Sequence, residues 1–363
     1  MKHPFCDLKL VPKEISDRWN SAISKVIASG IFISGPQKKE FELRFAQMIK
    51  TKFALGVSNG LDGLVLALKS LGANTNSIVA VPEHTFIATL NAVDIVGCRL
   101  VSVRVGPDGL MDLKDLENIQ ENIDFVIPVH MHGGVVDMER LIKWALPRNI
   151  RVIEDASQAH FSKSGDRYAG TFGDVGVFSL YPTKNLGALG DAGVVVTNDK
   201  KTYEVMRSFS NYGASKDSKY IHEFLGINAR LDEIQAAVLN VNLDYILDWN
   251  AHRKTLAQIY ISKFMSAEID FLHQRDSVYH HFVIFPKDRV SMIEKLQRVG
   301  IGTDIHYPIP AIDEYSNLSG KNYRDASLHA KKISKYGLSL PLHQWMTPDD
   351  TFFIANKVVE FDS

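Results

Sequence analysis

The chain has 363 residues, enough to bury a large core and to divide into a larger and a smaller lobe. Its 41 basic and 42 acidic side chains nearly cancel, which argues against nucleic acid or an anionic membrane as the main partner, since both attract basic surfaces. Two cysteines are too few for a disulfide framework or a cysteine-ligated iron–sulfur cluster. Without a signal-peptide core or a bilayer-spanning apolar run, we expect a soluble, cytoplasmic protein.

Helical and strand patterns alternate through the first two thirds of the chain. Helical spacing of apolar residues predicts a helix from Gln37 to Lys50. The predicted strands that follow are Ile78–Pro82, Leu100–Val105, Phe125–Val129, Arg151–Glu154, Val175–Leu180 and Gly193–Thr197. The helices predicted between them are Leu61–Leu71, Thr85–Val96, Asp112–Ile119 and Asp137–Leu146. Most of these strands are continuously apolar, as in a sheet covered on both faces, so we predict an α/β fold with a mainly parallel sheet.

The pattern changes after about Arg230. Apolar residues at roughly heptad spacing from Leu231 to Trp249, with no glycine between them, predict one long helix. A strand (Val278–Phe285), a helix (Val290–Val299), an extended piece (Ile301–His306) and two short helices follow. We therefore predict a large α/β domain over residues 1–245 and a small C-terminal α+β domain over residues 246–363.

One amine and one carboxylate follow buried strands in the predicted sheet. Lys184 stands in Tyr-Pro-Thr-Lys-Asn-Leu-Gly after one strand, and Asp155 ends another. Ligands of parallel α/β sheets bind beyond the carboxyl ends of strands. A lysine there can form a Schiff base with pyridoxal phosphate, and an aspartate can keep the pyridine nitrogen of that cofactor protonated. Taken singly, Lys184 is better explained as a solvated surface lysine and Asp155 as a helix-capping aspartate. Taken together with the motifs below, the two residues favour the cofactor site.

A candidate phosphate site precedes the first predicted helix of the sheet domain. The segment from Val57 to Gly63 leads directly into apolar helical sequence, so backbone N–H groups and a positive helix end face whatever lies there. An ordinary helix cap by Ser58 or Asn59 explains the same pattern. No Walker motif follows, and the dinucleotide fingerprint Gly-x-Gly-x-x-Gly is absent, which argues against an oxidoreductase that uses a nicotinamide cofactor.

Aromatic and histidine residues supply further candidates. Phe86, at the end of another strand, could cover a cofactor ring or belong to the core. His130, His132 and His160 raise the possibility of a metal site. Because no ligand spacing supports a metal, we interpret them as structural histidines and predict no metal.

The whole chain resembles the DegT/DnrJ/EryC1/StrS family of nucleotide-sugar aminotransferases, which have the type I fold of the aspartate aminotransferase superfamily. The motifs that carry the resemblance include Ser58-Asn-Gly-Leu-Asp-Gly, Pro82-x-x-Thr-Phe-Ile-Ala-Thr, Glu154-Asp-Ala-Ser-Gln-Ala-His, Phe178-Ser-x-Tyr-Pro-Thr-Lys-Asn-Leu-Gly and Asn228-x-Arg-Leu-Asp-Glu. The segment around Asp155 and Lys184 is the most specific of them.

The resemblance implies a role for each of the candidate residues. Lys184 would form the Schiff base, and Asp155 would meet the pyridine nitrogen. Gln158 would contact the ring or its phenolic oxygen, and Phe86 would stack on the ring. The amides of Gly60 and Leu61 and the hydroxyl of Ser179 would hold the phosphate. The further residues implied are Asn228, reaching the cofactor phosphate of a neighbouring subunit in a homodimer, and Tyr181, His306 and Tyr307, lying near the sugar nucleotide.

The resemblance also implies an activity. Glutamate would give its amino group to the cofactor, leaving pyridoxamine phosphate, which would then aminate a nucleotide-linked keto-deoxysugar for a surface polysaccharide such as lipopolysaccharide O-antigen. The Gly-Leu-Asp loop at Gly60 is similar to relatives that aminate C3 of dTDP-linked 3-keto-6-deoxyhexoses. Amination at C4 of a 4-keto-6-deoxyhexose is the alternative. Relatives that deoxygenate sugars carry histidine in place of the lysine, so Lys184 argues against that activity. A non-catalytic binding protein of the same fold remains a further alternative.

Overall fold

The strands of the structure follow the apolar runs of the sequence. The computed structural model describes residues 2–218 and 220–362. Its strands are β1 (Phe53–Val57), β2 (Ile78–Pro82), β3 (Arg99–Val103), β4 (Phe125–Val126), β5 (Arg151–Asp155), β6 (Lys163–Ser164), β7 (Arg167–Tyr168), β8 (Val175–Ser179), β9 (Gly193–Thr197), β10 (Asp270–Phe271), β11 (Phe282–Phe285) and β12 (Leu338–Leu340).

Helices connect most of these strands. They are α1 (Lys13–Ser29), α2 (Pro36–Ile49), α3 (Gly60–Ser70), α4 (Ala88–Val96), α5 (Leu113–Glu117), α6 (Met138–Ala145), α7 (Lys200–Phe209), α8 (Glu233–Asn242), α9 (Ile246–Ser266), α10 (Arg289–Arg298), α11 (Ala311–Ser319), α12 (Leu328–Tyr336) and α13 (Pro348–Asp362). None of the helices within the described residues 2–218 and 220–362 is long and apolar enough to cross a membrane.

The main sheet has seven strands in the order β1-β9-β8-β5-β4-β2-β3. Strands β8, β5, β4, β2 and β3 run parallel, and β9 runs antiparallel to both of its neighbours, β1 and β8. The prediction of a mainly parallel α/β sheet is confirmed. Asp155 pairs with Val177 where β5 lies beside β8, so the carboxyl ends of these two strands open at the same edge of the sheet.

Side-chain caps explain where several helices begin. Asn59 caps α3 by accepting a hydrogen bond from the backbone N–H of Asp62 at 2.8 Å. Asp199 caps α7 in the same manner, through the N–H of Thr202 at 2.7 Å. Both caps satisfy one donor of a first helical turn and leave the preceding amides of that turn available to other acceptors.

The prediction of one helix from Leu231 to Trp249 is wrong. The chain turns at residues 243–245, between α8 and α9, and the apolar residues on the two sides serve different helices. Leu239 and Ile246 still pack in the same apolar cluster, together with Phe45 of α2. The apolar spacing is therefore real, but it reports burial of two successive helices and not their continuity.

The second half of the chain builds its own apolar cluster against a three-stranded sheet of β10, β11 and β12. Leu256, Phe282 and Ile354 are buried together there. Ala311 of α11 and Ala330 of α12 pack instead in the cluster that covers α3 and the main sheet. A division at residue 245 stays a prediction, because part of the later chain joins the earlier core.

Glu233 joins two distant parts of this fold. Its buried carboxylate accepts hydrogen bonds from the backbone N–H groups of Gly35, Gln37 and Lys38, at 2.9, 2.8 and 2.9 Å. These are the donors at the start of α2, which Gly35 and Pro36 cannot satisfy with side chains of their own. The carboxylate of α8 thus acts as the cap of α2.

We predict that Glu233→Ala lowers the free energy of unfolding by about 2–4 kcal/mol, because three buried donors lose their acceptor together. Thermal or urea unfolding monitored by circular dichroism measures this change. Glu294→Ala is the matched control, since Glu294 is largely exposed and lies 3.7 Å from Arg298 in a surface ion pair, a pair of the kind that contributes about 0–1 kcal/mol. Equal stability of the two variants would contradict the capping role.

Candidate active site

A cavity of about 510 Å³ opens at the carboxyl edge of the main sheet. Ten of the eleven residues to which the family resemblance assigns a role line it: Gly60, Leu61, Phe86, Asp155, Gln158, Ser179, Tyr181, Lys184, His306 and Tyr307. A larger cleft of about 920 Å³, between Gly106 and Asp276, shares no residue with it. We assign the chemistry to the smaller cavity because it joins an amine, a carboxylate and free helix-end amides.

Lys184 lies in the turn that follows β8. Its backbone N–H donates to the carbonyl of Tyr181 at 2.8 Å, which fixes the turn. Its side chain meets solvent only in part. Burial disfavours the ammonium form and lowers the pKa of Lys184 to about 8, while the nearby Asp155 carboxylate opposes this shift. The neutral amine is therefore far more populated near neutral pH than in an ordinary lysine, which favours a nucleophilic or proton-accepting role.

Asp155 is buried at the end of β5, and both of its carboxylate oxygens are held. The hydroxyl of Thr89 donates to Oδ2 at 2.9 Å, and the N–H of Ser157 donates to Oδ1 at 3.1 Å. Thr89 is a site residue that the sequence does not single out. Its hydroxyl lies 3.1 Å from that of Thr85. Two threonines one helical turn apart, at the end of an apolar strand, are the sequence signal that could have identified it.

Glu154 fixes the strand from the opposite side of the Asp155 backbone. Its buried carboxylate accepts from the N–H groups of Gly170, Phe172 and Gly173 at 2.8, 2.6 and 2.7 Å. His130 donates to it from Nε2 at 2.9 Å, because the Nδ1 atom of His130 accepts from a backbone N–H. His130 is therefore part of the scaffold, as expected from the sequence.

Gln158 is oriented by two partners. Its Oε1 accepts from the N–H of His132 at 2.7 Å, so its amide nitrogen must point the other way, where Nε2 lies 3.3 Å from the Tyr307 hydroxyl. The Tyr307 ring lies 5.5 Å from that of Phe86, centroid to centroid. The side chain of Phe86 is 53% exposed, so its ring has an open surface toward the cavity.

The start of α3 and the end of β8 form a cradle of donors. The N–H groups of Gly60 and Leu61 have no acceptor within the helix, because they lie in its first turn. The side-chain cap of Asn59 is used by the amide of Asp62 and leaves these two donors available. A Cβ atom on Gly60 would lie 3.0 Å from Cβ of Ser179 and 3.3 Å from Oγ of Ser157. Glycine thus allows the helix end to approach β8 closely. Such a cradle suits a phosphate.

The residues present fit pyridoxal phosphate. The cradle at Gly60, Leu61 and Ser179 suits its phosphate, the buried Asp155 carboxylate suits its ring nitrogen, and the Lys184 amine suits its aldehyde carbon. In residues 2–218 and 220–362, no group of three or more His, Cys, Asp or Glu side chains is arranged to hold a metal ion.

Asn228 lies outside this cavity. It is exposed, and its Oδ1 accepts from Nε of Arg230 at 2.9 Å. Its segment also forms a single bridge with Asn211. The predicted contact of Asn228 with the cofactor of a neighbouring subunit stays a prediction.

The fold and the lysine site together define an aminotransferase of the type I fold. The family model of the DegT/DnrJ/EryC1/StrS aminotransferase family matches residues 13–359, and the chain belongs to that family. The predictions of the family, of the type I fold and of an aminotransferase are therefore confirmed.

Three relatives illustrate the similarity. The dTDP-3-amino-3,4,6-trideoxy-alpha-D-glucose transaminase of Streptomyces venezuelae is 37% identical over 365 residues, covering 99% of this chain and 96% of the relative. The dTDP-3-amino-3,6-dideoxy-alpha-D-galactopyranose transaminase of Aneurinibacillus thermoaerophilus is 36% identical and covers 98% of each. The crystal structure of S. venezuelae DesV in complex with a ketimine intermediate has a TM-score of 0.95 at 35% identity, covering 100% of this chain and 99% of DesV.

We predict that Lys184 in the cofactor-free protein reacts with an amine-acylating reagent with an apparent pKa near 8, because burial favours its neutral form. Labelling from pH 6 to 11, quantified by mass spectrometry of the Lys184 peptide, measures this value. The same peptide in the denatured chain is the control and should titrate near the ordinary lysine value of about 10.4. Between about pH 8 and about pH 10.4, Lys184 binds more protons in the unfolded chain than in the folded chain. Its contribution to the free energy of unfolding therefore increases as the pH rises through this range.

Replacing Asp155 by Asn removes the charge that opposes the shift, so D155N should move the apparent pKa of Lys184 further down. An apparent pKa that stays the same, or rises, would show that the two groups do not interact across the cavity.

Proposed function

We propose that the protein transfers the amino group of glutamate to C3 of a dTDP-linked 3-keto-6-deoxyhexose. The observation that carries this proposal is the Lys184 amine, held beside the Asp155 carboxylate in one cavity at the sheet edge. The amination of C3 and the dTDP carrier are supported by the two transaminases described above, whose names specify dTDP-linked 3-amino sugars. The product would be an amino sugar for a surface glycan such as lipopolysaccharide O-antigen, made in the cytoplasm.

Pyridoxal phosphate is the cofactor of this family and supplies the sink for the electrons released when a substrate carbon loses its proton. In our proposal, the amides of Gly60 and Leu61 and the hydroxyl of Ser179 would hold its phosphate, and Asp155 would meet its ring nitrogen. Phe86 would stack on the ring, and Gln158 would contact the ring or its phenolic oxygen.

Besides forming the Schiff base, Lys184 would transfer the proton of the substrate carbon. Its Nζ atom, when neutral, would take the proton from the amino-bearing carbon of glutamate and pass it on within the same half-reaction. In the other half-reaction its ammonium form would give a proton to the sugar carbon that receives the amine. The lowered pKa of about 8 suits both directions, since the amine is neither permanently charged nor too weak a base. Thr89 and the amide of Ser157 keep the Asp155 carboxylate in place throughout.

The protein with its cofactor should absorb between roughly 330 and 430 nm, and glutamate should shift the spectrum, because the amino group then resides on the cofactor. Lys184→Ala should slow this half-reaction by at least about 10²–10⁴-fold. Incubation with glutamate and either the 3-keto or the 4-keto dTDP-6-deoxyhexose, followed by NMR of the product, locates the new amine. An amine at C4 would support the alternative in place of our proposal. The absence of a spectral shift with glutamate would refute the aminotransferase.

We also propose that the protein acts as a homodimer in which Asn228 completes the partner's site. The segment around Asn228 exposes apolar side chains to a degree unusual for a monomer, among them Ile221 (63%) and Leu225 (100%). Phe32 is also exposed, and its carbonyl accepts from the N–H of Glu233 at 3.0 Å, five residues after Asn228 in the chain. A second copy of the chain would bury this surface around the two sites.

Mixing two defective variants tests this arrangement. Asn228→Asp places a negative charge against the partner's cofactor phosphate, and Lys184→Ala removes the amine. Each heterodimer of the two variants would contain one intact site of two. Half of the dimers are heterodimers after random pairing, so exchange of subunits without unfolding should restore about a quarter of the wild-type activity. If Asn228 instead served its own subunit, no mixture would recover activity. Each variant incubated alone under the same conditions is the control.

A further inference from the structure

The chain beyond residue 246 contributes four residues to the cavity lining: His280, His281, His306 and Tyr307. The cofactor groups named above find their partners on earlier segments, at α3, β5 and β8. We call His280, His281 and His306 the histidine wall. These side chains line the same cavity as Lys184, and no group of the cofactor is assigned to them.

In two of the three histidines, each ring nitrogen that carries a proton can face a protein atom. Nδ1 of His306 lies 2.9 Å from the Ser339 hydroxyl, and Nε2 lies 3.6 Å from Oδ2 of Asp304. His280 must donate from Nδ1 to Oδ1 of Asn185 at 3.1 Å, since Oδ1 can only accept. When neutral, His280 then keeps no second N–H for a ligand.

His281 differs from both. Its Nδ1 atom lies 3.1 Å from Nδ1 of His132, so one of the two nitrogens must carry a proton and the other must accept it. Its ring stacks on that of His306, with centroids 3.7 Å apart and planes 16° apart, which leaves the ring edge as the part able to bind polar atoms. Within the described part of the chain, no hydrogen-bond partner is found for its Nε2.

The proton arrangement follows from His132. Nε2 of His132 is fully buried and has no hydrogen-bond partner among the described residues. A buried N–H without an acceptor is rarer in proteins than a buried acceptor without a donor. His132 therefore carries its proton on Nδ1 and donates to His281, and His281 carries its own proton on Nε2. His281 lines the cavity, and its Nε2 is not among the fully buried nitrogens that lack a partner, so this N–H is the one able to reach a ligand.

We propose that His281 is a specificity residue whose Nε2–H donates a hydrogen bond to an oxygen atom of the hexose of the acceptor substrate, in the tautomer set by His132. The inference rests on the proposed function and identifies a contact that the acceptor substrate makes at that site.

The electrostatics favour a sugar oxygen over a carboxylate of glutamate. Burial, and to a smaller extent the positive charge of Lys184, lower the pKa values of His132 and His281 well below the ordinary value, so both rings are neutral at physiological pH. Among the described residues that line the cavity, Lys184 is the one lysine or arginine. A neutral N–H donor recognises an uncharged hydroxyl or keto oxygen without the strong preference for anions that a cation shows.

Two amide substitutions separate this role from a structural one. In His281→Gln the side-chain amide nitrogen can reach the position of Nε2, so the donor to the cavity is kept and the contact with His132 is lost. In His281→Asn the amide lies at the position of Nδ1, so the contact with His132 is kept and the donor to the cavity is lost. The two variants form a matched pair of similar polarity.

We expect H281N to weaken binding of a dTDP-linked 6-deoxyhexose to the holoenzyme roughly 5–10-fold, and H281Q to stay within about 3-fold of wild type. Isothermal titration measures both, with dTDP alone as the control ligand that neither variant affects. The rate of the glutamate half-reaction, followed by absorbance, should stay within about 3-fold in both variants. The opposite order of affinities, or an equal loss for dTDP alone or for the glutamate step, would overturn the proposal.

Failure of the proposed function would be visible separately, because the wild-type protein would then show no response to glutamate or no amino-sugar product. If one of the variants does not fold, the affinity of the other variant still tests the proposal. Wild-type affinity of H281N or a 10-fold loss in H281Q would each contradict the inference.

Discussion

The site depends on a carboxylate and an amine brought to one edge of the sheet by adjacent parallel strands. Strand β5 ends in Asp155, and β8 lies beside it in a register that pairs Asp155 with Val177. The chain then needs only the turn that follows β8 to place Lys184 in the same cavity. Antiparallel neighbours would have sent one of these two groups to the opposite edge. The position of β9, the antiparallel strand, on the far side of β8 leaves this pairing intact.

The two groups also determine each other's chemistry. Burial alone would lower the pKa of Lys184 further than the value of about 8, and the Asp155 charge limits the shift. Asp155 can stay in this environment because Thr89 and Ser157 satisfy its oxygens. Behind it, Glu154 accepts hydrogen bonds from three backbone amides and from His130, which ties the strand end to the neighbouring loops. A layer of buried polar contacts thus supports the cavity floor.

The parts of this arrangement that depend on local pattern can be predicted from the sequence. Buried strands, the helix start at Gly60 and the residues after β5 and β8 are encoded in short contiguous motifs, and the structure brings them together. The helix predicted over 231–249 failed because apolar spacing reports burial and does not detect a turn between two packed helices. His132 and His281 are 149 residues apart, so nothing local in the sequence indicates that they share a hydrogen bond. Thr89 shows the same limit, since its partner Asp155 lies 66 residues away.

The neutrality of the histidine wall would link substrate specificity to catalysis in the proposed function. A protonated imidazole at His281 would stand among His132, His280 and His306 and near Lys184, and each like charge would disfavour the others. Such a charge would also lower the pKa of Lys184 and attract carboxylates into the space proposed for the sugar. Burial avoids both effects by keeping the rings uncharged, so the Asp155 charge continues to oppose the lowering of the Lys184 pKa. In our proposal, the wall therefore offers a neutral donor to a sugar oxygen without adding a charge beside Lys184.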